Sequence, residues 1–276
     1  MPSFYSCLQK KSSDLEELEL FADICSKALR RATKGVEEID LWQRISGLLG
    51  EKPPMEPGEA LEKAKARAAT VAAFAEAQKT NGAPYLFSLC TVRLWALLEA
   101  LVDELVVEAM KDPGSCTDQV LLSKLKGPLV EFKVASSDEQ AEFLAETLKQ
   151  AVDAPLKLGA GRFEAILGPV GLGGEVDDHV RKNLFELSQV RNCVVHKGAK
   201  ADRRFLEACP WLDIDRGAEI QVTAAMFERY MTAAFWYAVE LRGRVDERGG
   251  GSRDESVPAA LAMLADLLKP SVPADA

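Results

Sequence analysis

The stretch Tyr85–Met110, YLFSLCTVRLWALLEALVDELVVEAM, constrains the fold more than any other part of the chain. It is the most apolar helix-like segment, and most of its Leu and Val residues must be core. Arg93, Glu99, Asp103, Glu104 and Glu108 interrupt it, which excludes a simple membrane span. A chain that buries such a helix needs others to cover it. The composition supplies them: of 276 residues, 47% are hydrophobic but only 7% aromatic, a balance that favours helix over sheet. The expected fold class is all-α, in one large or two small domains.

The rest of the chain reads as further helices. Met1–Lys11 is expected to be a loose lead-in. A first helix is expected over Leu15–Thr33, capped at Ser13 or Asp14 and stopped at Gly35. Glu37–Leu49, carrying Trp42, follows, and Gly50-Glu-Lys-Pro-Pro breaks it. Glu59–Lys79 is Ala-rich with alternating charge, a packed helix with a salt-bridged outer face. Between Pro113 and Gly174, short helices are expected at Thr117–Lys126, Ser137–Val152 and Arg162–Leu167. Gly168-Pro-Val-Gly-Leu-Gly-Gly lacks the Lys-Ser/Thr of a phosphate-binding loop and reads as plain loop. Cys209-Pro210-Trp211-Leu212 is expected to be a packed turn anchored by Trp211, and 217–222 a short extended piece. Thr223 caps a closing helix to about Val245, with Phe227, Met231, Phe235 and Val239 as its apolar face. Glu247–Ser256 reads as a flexible linker before a short docking helix, Pro258–Lys269.

Arg181–Phe205 is a basic island in a chain of net charge −9. Arg181, Lys182, Arg191, Lys197, Lys200, Arg203 and Arg204 face only Glu186 and Asp202. Val180, Leu184, Leu187, Val190 and Val194 fall near helical spacing, Asp177 and Asp178 suit the helix start, and Gly198 suits its end. Asn192 and His196 share a face, which Phe185 and Gln189 continue upstream. Arg191 lies roughly 140° from His196 around an ideal helix, within reach of a long side chain where the last turn loosens. A last-turn histidine stands at the negative end of the helix dipole and can exchange protons near neutral pH.

Arg191-Asn192-Cys193-Val194-Val195-His196 resembles the Arg-(polar)-x3-His signature of the HEPN superfamily, within its broader Arg-x4–6-His pattern. The resemblance covers the Tyr85–Met110 helix and Glu175–Val245. It implies a HEPN-like helical bundle over 83–246 with an insertion at about 113–174. Extra N-terminal helices (1–82) pack on that core, and 247–276 form a linker and docking helix. It further implies a metal-independent endoribonuclease of toxin–antitoxin or antiviral-defence type. Two protomers would bring two motifs together, so that the chain is expected to be a homodimer. Arg191 would hold the phosphate, His196 would move protons, and Asn192 would hold a phosphate oxygen, a ribose hydroxyl or the His196 ring. Glu99 or Asp103 would support them, and Lys197, Lys200, Arg203 and Arg204 would bind RNA phosphates.

Other readings stand beside this one. As packing residues, Arg191 pairs with Glu99 or Asp103 and His196 caps a helix end. The chain is then a structural helical adaptor; a further alternative is an inactive HEPN-like module that binds RNA, nucleotide or protein through the same basic groove. Cys193 with His196 as a nucleophile pair lacks an activating partner. A sequence pI near 5.0 argues against bulk nucleic-acid binding, though not against a local site. Six scattered cysteines fit reduced, cytoplasmic thiols. His179 reads as a first-turn residue rather than a ligand; no metal, other cofactor or membrane is expected. The expected partners are RNA, a second copy, and a separate antitoxin or defence-system protein.

Overall fold

The computed structural model describes residues 2–53, 55–127, 129–152 and 158–269. The remaining positions, which include parts of the expected insertion and of the C-terminal segment, lie outside the described residues. Twelve α-helices and no strand occur among the described residues; the fold is all-α. They are α1 (Pro2–Ala32), α2 (Gly35–Leu49), α3 (Glu59–Thr80), α4 (Pro84–Met110), α5 (Gln119–Leu122), α6 (Leu129–Val134), α7 (Ser137–Ala151), α8 (Ala160–Leu167), α9 (Asp178–Lys197), α10 (Arg203–Ala208), α11 (Ala224–Arg248) and α12 (Ser256–Leu267). The expected extended piece at 217–222 forms only an isolated bridge, Glu219 to Lys200.

Two compact units share these helices. The larger comprises 1–18, 90–220 and 225–276. Its core is built by α4, α9 and α11. Leu94, Leu98 and Leu105 of α4, Val180, Leu184, Leu187 and Val190 of α9, and Tyr230, Tyr237 and Leu241 of α11 are all fully buried. Trp95 stacks on Phe163 of α8 at 4.9 Å between centroids, and Phe163 meets Tyr237 at 5.8 Å. Truncating Leu184 to Ala is expected to cost about 2–5 kcal/mol, measurable by urea denaturation.

Several expectations need correction here. The first residues are not a loose lead-in, and Ser13 and Asp14 are not caps: α1 begins at Pro2 and runs through them. Phe4, Leu8, Leu15 and Leu18 recur at helical spacing and are buried. Lys11 is buried beside them and pairs with Glu104 at 2.8 Å. Gly35 opens α2 instead of ending α1, because the turn is made at Thr33 and Lys34. On α11, Phe227 and Met231 are buried but Phe235 and Val239 are only half-buried. Each four-residue step overshoots a turn by about 40°, so the buried stripe passes to Tyr230, Ala234, Tyr237 and Leu241.

A second correction concerns the end of α11. Residues 247–256 are tethered: Arg253 forks onto Glu240 at 2.7 and 3.0 Å and onto Glu247 at 2.7 Å. Glu240 also accepts from the buried Arg244 at 2.9 Å. Arg244 donates to both oxygens of Glu164 at 2.9 and 3.0 Å, and to the carbonyls of Leu172 and Glu175 at 3.1 and 3.0 Å. Burial opposes its charge, yet Glu164 and Glu240 outweigh burial and raise its pKa. The loop before α9 is therefore strapped to α11. Its glycines serve close approach: a Cβ on Gly174 would lie 2.8 Å from the Arg244 Nε.

The smaller unit comprises 19–89 with 221–224. Lys65 of α3 pairs with Asp40 of α2 at 2.8 Å, and Lys63 with Glu59 at 2.6 Å. Few of its large apolar residues are buried: Leu61 and Phe87 are, but Leu20, Phe21, Ile24, Leu41, Trp42 and Phe74 are exposed. Little burial means low local stability. Amides of α2 and α3 are expected to exchange orders of magnitude faster than those of α9, read by hydrogen-exchange mass spectrometry.

Candidate functional site at the C-terminal end of helix α9

The motif lies where α9 leaves the core, in the larger unit. Asp177 starts this helix, its carboxylate accepting from the N–H groups of His179 and Val180 at 2.8 and 3.3 Å. Gly198 ends it in the left-handed region at φ 59°. Ala199 follows at φ 60°, which a side chain disfavours. Backbone bonds hold it there: Ile220 donates to the Ala199 carbonyl at 2.7 Å, and Ala201 to that of Ala218 at 2.9 Å. The turn beyond His196 is thus braced by the 217–220 segment. No local residue pattern announces this bracing.

At this end the side chains divide. Arg191 is half-buried; its Nη1 donates to the Asn192 Oδ1 at 3.1 Å, and its Nη2 lies 4.0 Å from Glu99 of α4. Its Nε is buried and has no hydrogen-bond partner among the described residues. Leaving such a donor unsatisfied costs about 1–3 kcal/mol. Glu99 also accepts from Arg162 of α8 at 3.1 Å, so it faces two guanidiniums. Asp103 is not brought to the site: it pairs with Lys149 of α7 at 3.2 Å and lines a cleft of about 720 Å³ that includes Cys7, Glu104 and Glu142.

Asn192 and His196 are exposed. His196 makes no side-chain hydrogen bond or ion pair among the described residues, so none joins it to Arg191 within one chain. Lys197, Lys200 and Arg204 are also exposed and form no salt bridge among the described residues, whereas Arg203 is held by Glu207 at 2.7 Å. The two acids of the island are used internally. Asp202 caps α10, accepting from the Phe205 N–H at 2.9 Å. Glu186 is buried and accepts from Arg229 at 3.1 Å, Tyr230 at 2.8 Å and the Trp211 indole. Burial and then Glu186 push the Tyr230 hydroxyl far above the ordinary phenol range. The last turn of α9 and the residues just after it thus expose His196, Lys197, Lys200 and Arg204, with the exposed acids Glu207 and Glu219 nearby.

Trp211 differs from its expected role. The turn is there, but the ring is 41% exposed. Its bond to Glu186, and the Arg229 that shares that carboxylate, have no counterpart in the expectations above. The Glu186 position inside an apolar helix stripe was the available signal, since a buried carboxylate requires donors.

Cys193 points into the core, and burial followed by Asp202 raises its thiol pKa. Cys209 nearby is pushed up to about 12 by burial and Glu186. Both therefore stay thiols near neutral pH, where thiolate is the nucleophile. Folded protein at pH 8 is expected to leave Cys193 and Cys209 unlabelled by a disulfide reagent, and Cys193→Ser to keep whatever activity the site has. Among the described residues, no three His, Cys, Asp or Glu side chains gather as a metal site. Compared with protein-family models, curated proteins and solved structures, the chain matches none.

Proposed function

We propose that this chain is a metal-independent endoribonuclease of HEPN type that works as a homodimer, as a toxin or defence effector. In this reading α4, α9 and α11 form the HEPN-like core and α5–α8 belong to an insertion. The supporting observation is the division of labour at the end of α9. A guanidinium rests on Asn192 and, at longer range, Glu99, and an exposed His196 is followed by three exposed cations; none of these four is paired among the described residues.

RNA carries its own nucleophile, so the chemistry asks little of the protein. The 2′-oxygen attacks phosphorus as one imidazole takes its proton. The P–O2′ bond forms, the P–O5′ bond breaks, and the 5′-oxygen leaves with a proton from a second imidazole. Arg191 neutralises the charge that builds on the equatorial oxygens. The long contact with Glu99 leaves its fork free to turn to phosphate. One motif histidine per chain, His196, requires a second copy to supply both acid and base. Lys197, Lys200 and Arg204, doubled in that assembly, make an anion-binding surface on an acidic protein.

The test is cleavage of labelled total RNA and tRNA by purified protein in EDTA, with end-group analysis. Products with a 2′,3′-cyclic phosphate, or its opened form, and a 5′-hydroxyl are expected. A 5′-phosphate end, or loss of cleavage with chelator, would sink the proposal. No hydrogen bond joins Arg191 to His196 among the described residues, which keeps a second reading beside this one, an inactive RNA-binding module. RNA bound but uncut by a demonstrated dimer would select it.

A further inference from the structure

We infer that Trp211, with Lys182 and Arg229, is a subsite that stacks one unpaired base of a single-stranded RNA beside the cleavage site. The inference deepens the ribonuclease reading and rests on it for the polymer concerned. An exposed tryptophan is ordinarily held loosely, but this one is pinned. Its indole N–H is bonded to Glu186, a carboxylate only 2% exposed. The other Glu186 oxygen takes Arg229 and Tyr230, so ring and guanidinium are fixed to opposite sides of one buried group. The Lys182 ammonium lies over the ring, 4.6 Å from its centroid, and Phe185 stands 6.4 Å away.

An aromatic face with cations around it fits one ligand chemistry well: a nucleobase on the ring and its phosphates on the cations. Glu186 is neutralised inside, so Lys182 leaves the surface at the ring positive. Lys182 is exposed. It holds the place of the base over the ring, and moves to the adjoining phosphate when the base arrives. Lys182, Phe185, Asn192 and His196 fall within about 80° around α9, and Glu186 is about 15 Å along the axis from His196. A strand whose base rests on Trp211 therefore runs along the same side of the helix toward His196, a few nucleotides on. Paired bases cannot reach the ring, so the subsite selects single-stranded RNA.

The experiment is fluorescence anisotropy with a short labelled oligouridylate and a blunt RNA duplex of equal length, in the His196→Ala background so that RNA stays intact. Trp211→Ala is expected to weaken oligouridylate binding about tenfold or more, and Trp211→Phe to stay within a few-fold. Duplex binding should change little. Lys182→Glu, a surface change that spares the fold, should weaken the single strand as well. Unchanged oligouridylate affinity in a folded Trp211→Ala protein, or in Lys182→Glu, overturns the subsite, as does no binding by the parent. Trp211-dependent binding by a wild-type chain that leaves the RNA uncut keeps the subsite and removes the nuclease. Cleavage with a KM indifferent to Trp211→Ala does the reverse.

Discussion

His196→Ala is expected to lower the cleavage rate by about a hundred- to ten-thousandfold while leaving RNA affinity within a few-fold. The side chain is exposed and unengaged, so its removal breaks no bond of the folded chain. Stability should therefore be unchanged, which separates a chemical role from a packing one. Proton transfer occurs only in the transition state, so kcat and kcat/KM should fall together. Arg191→Ala is expected to lose about a hundred- to thousandfold by the same measure, since it removes one preorganised cation at the phosphate. It should also cost some stability, because Glu99 would keep only Arg162. Arg191→Lys should recover little, since an ammonium lacks the fork that spans two oxygens. Single-turnover cleavage in EDTA checks all three. A His196→Ala protein with more than about a tenth of wild-type activity would end the proposed mechanism.

Arg244→Ala should be the most destabilising single change at a charged position. Its guanidinium is 4% exposed and bonded to two carboxylates and two loop carbonyls. Removing one partner of a buried ion pair strands the other, at about 3–5 kcal/mol. For a chain of this size that is a fall in Tm of roughly 6–20 °C. Glu164 would keep the Tyr237 hydroxyl at 2.7 Å and the Gly174 N–H at 2.8 Å, and Glu240 would keep Arg253. The loss should thus fall at the lower end of the range. A triple variant, Arg244→Met with Glu164→Gln and Glu240→Leu, should regain only part of it. The carbonyls of Leu172 and Glu175 would still lack their donor. Thermal unfolding followed by circular dichroism decides the matter, and an Arg244→Ala Tm within about 2 °C of wild type would show the network to be dispensable. The strap also positions the start of α9, so Arg244→Ala is expected to reduce activity through that helix while His196 remains intact.

Local rules were enough for much of this protein. The spacing of Val180, Leu184, Leu187 and Val190, with Asp177 before them and Gly198 after, determined α9 and both of its ends. The apolar run from Tyr85 determined α4, and the helix expected at Ser137–Val152 forms over Ser137–Ala151, where Ser136 caps its start. These signals act over one or two turns of chain, which is why they can be read in order. The placement of Asn192 and His196 on one exposed face followed from the same period. What only the tertiary structure decided was which charges find each other. Glu99 went to Arg191 and Arg162, and Asp103, one turn further along α4, to Lys149. Glu186 went to Arg229 across 43 residues and Glu164 to Arg244 across 80. A carboxylate in an apolar stripe announces that it needs a donor, but the donor is chosen by how helices cross. The lead-in was missed for a related reason: Phe4 and Leu8 become core only when another part of the chain covers them. The pinned Trp211 belongs to this second class, because its exposure depends on a buried carboxylate twenty-five residues away.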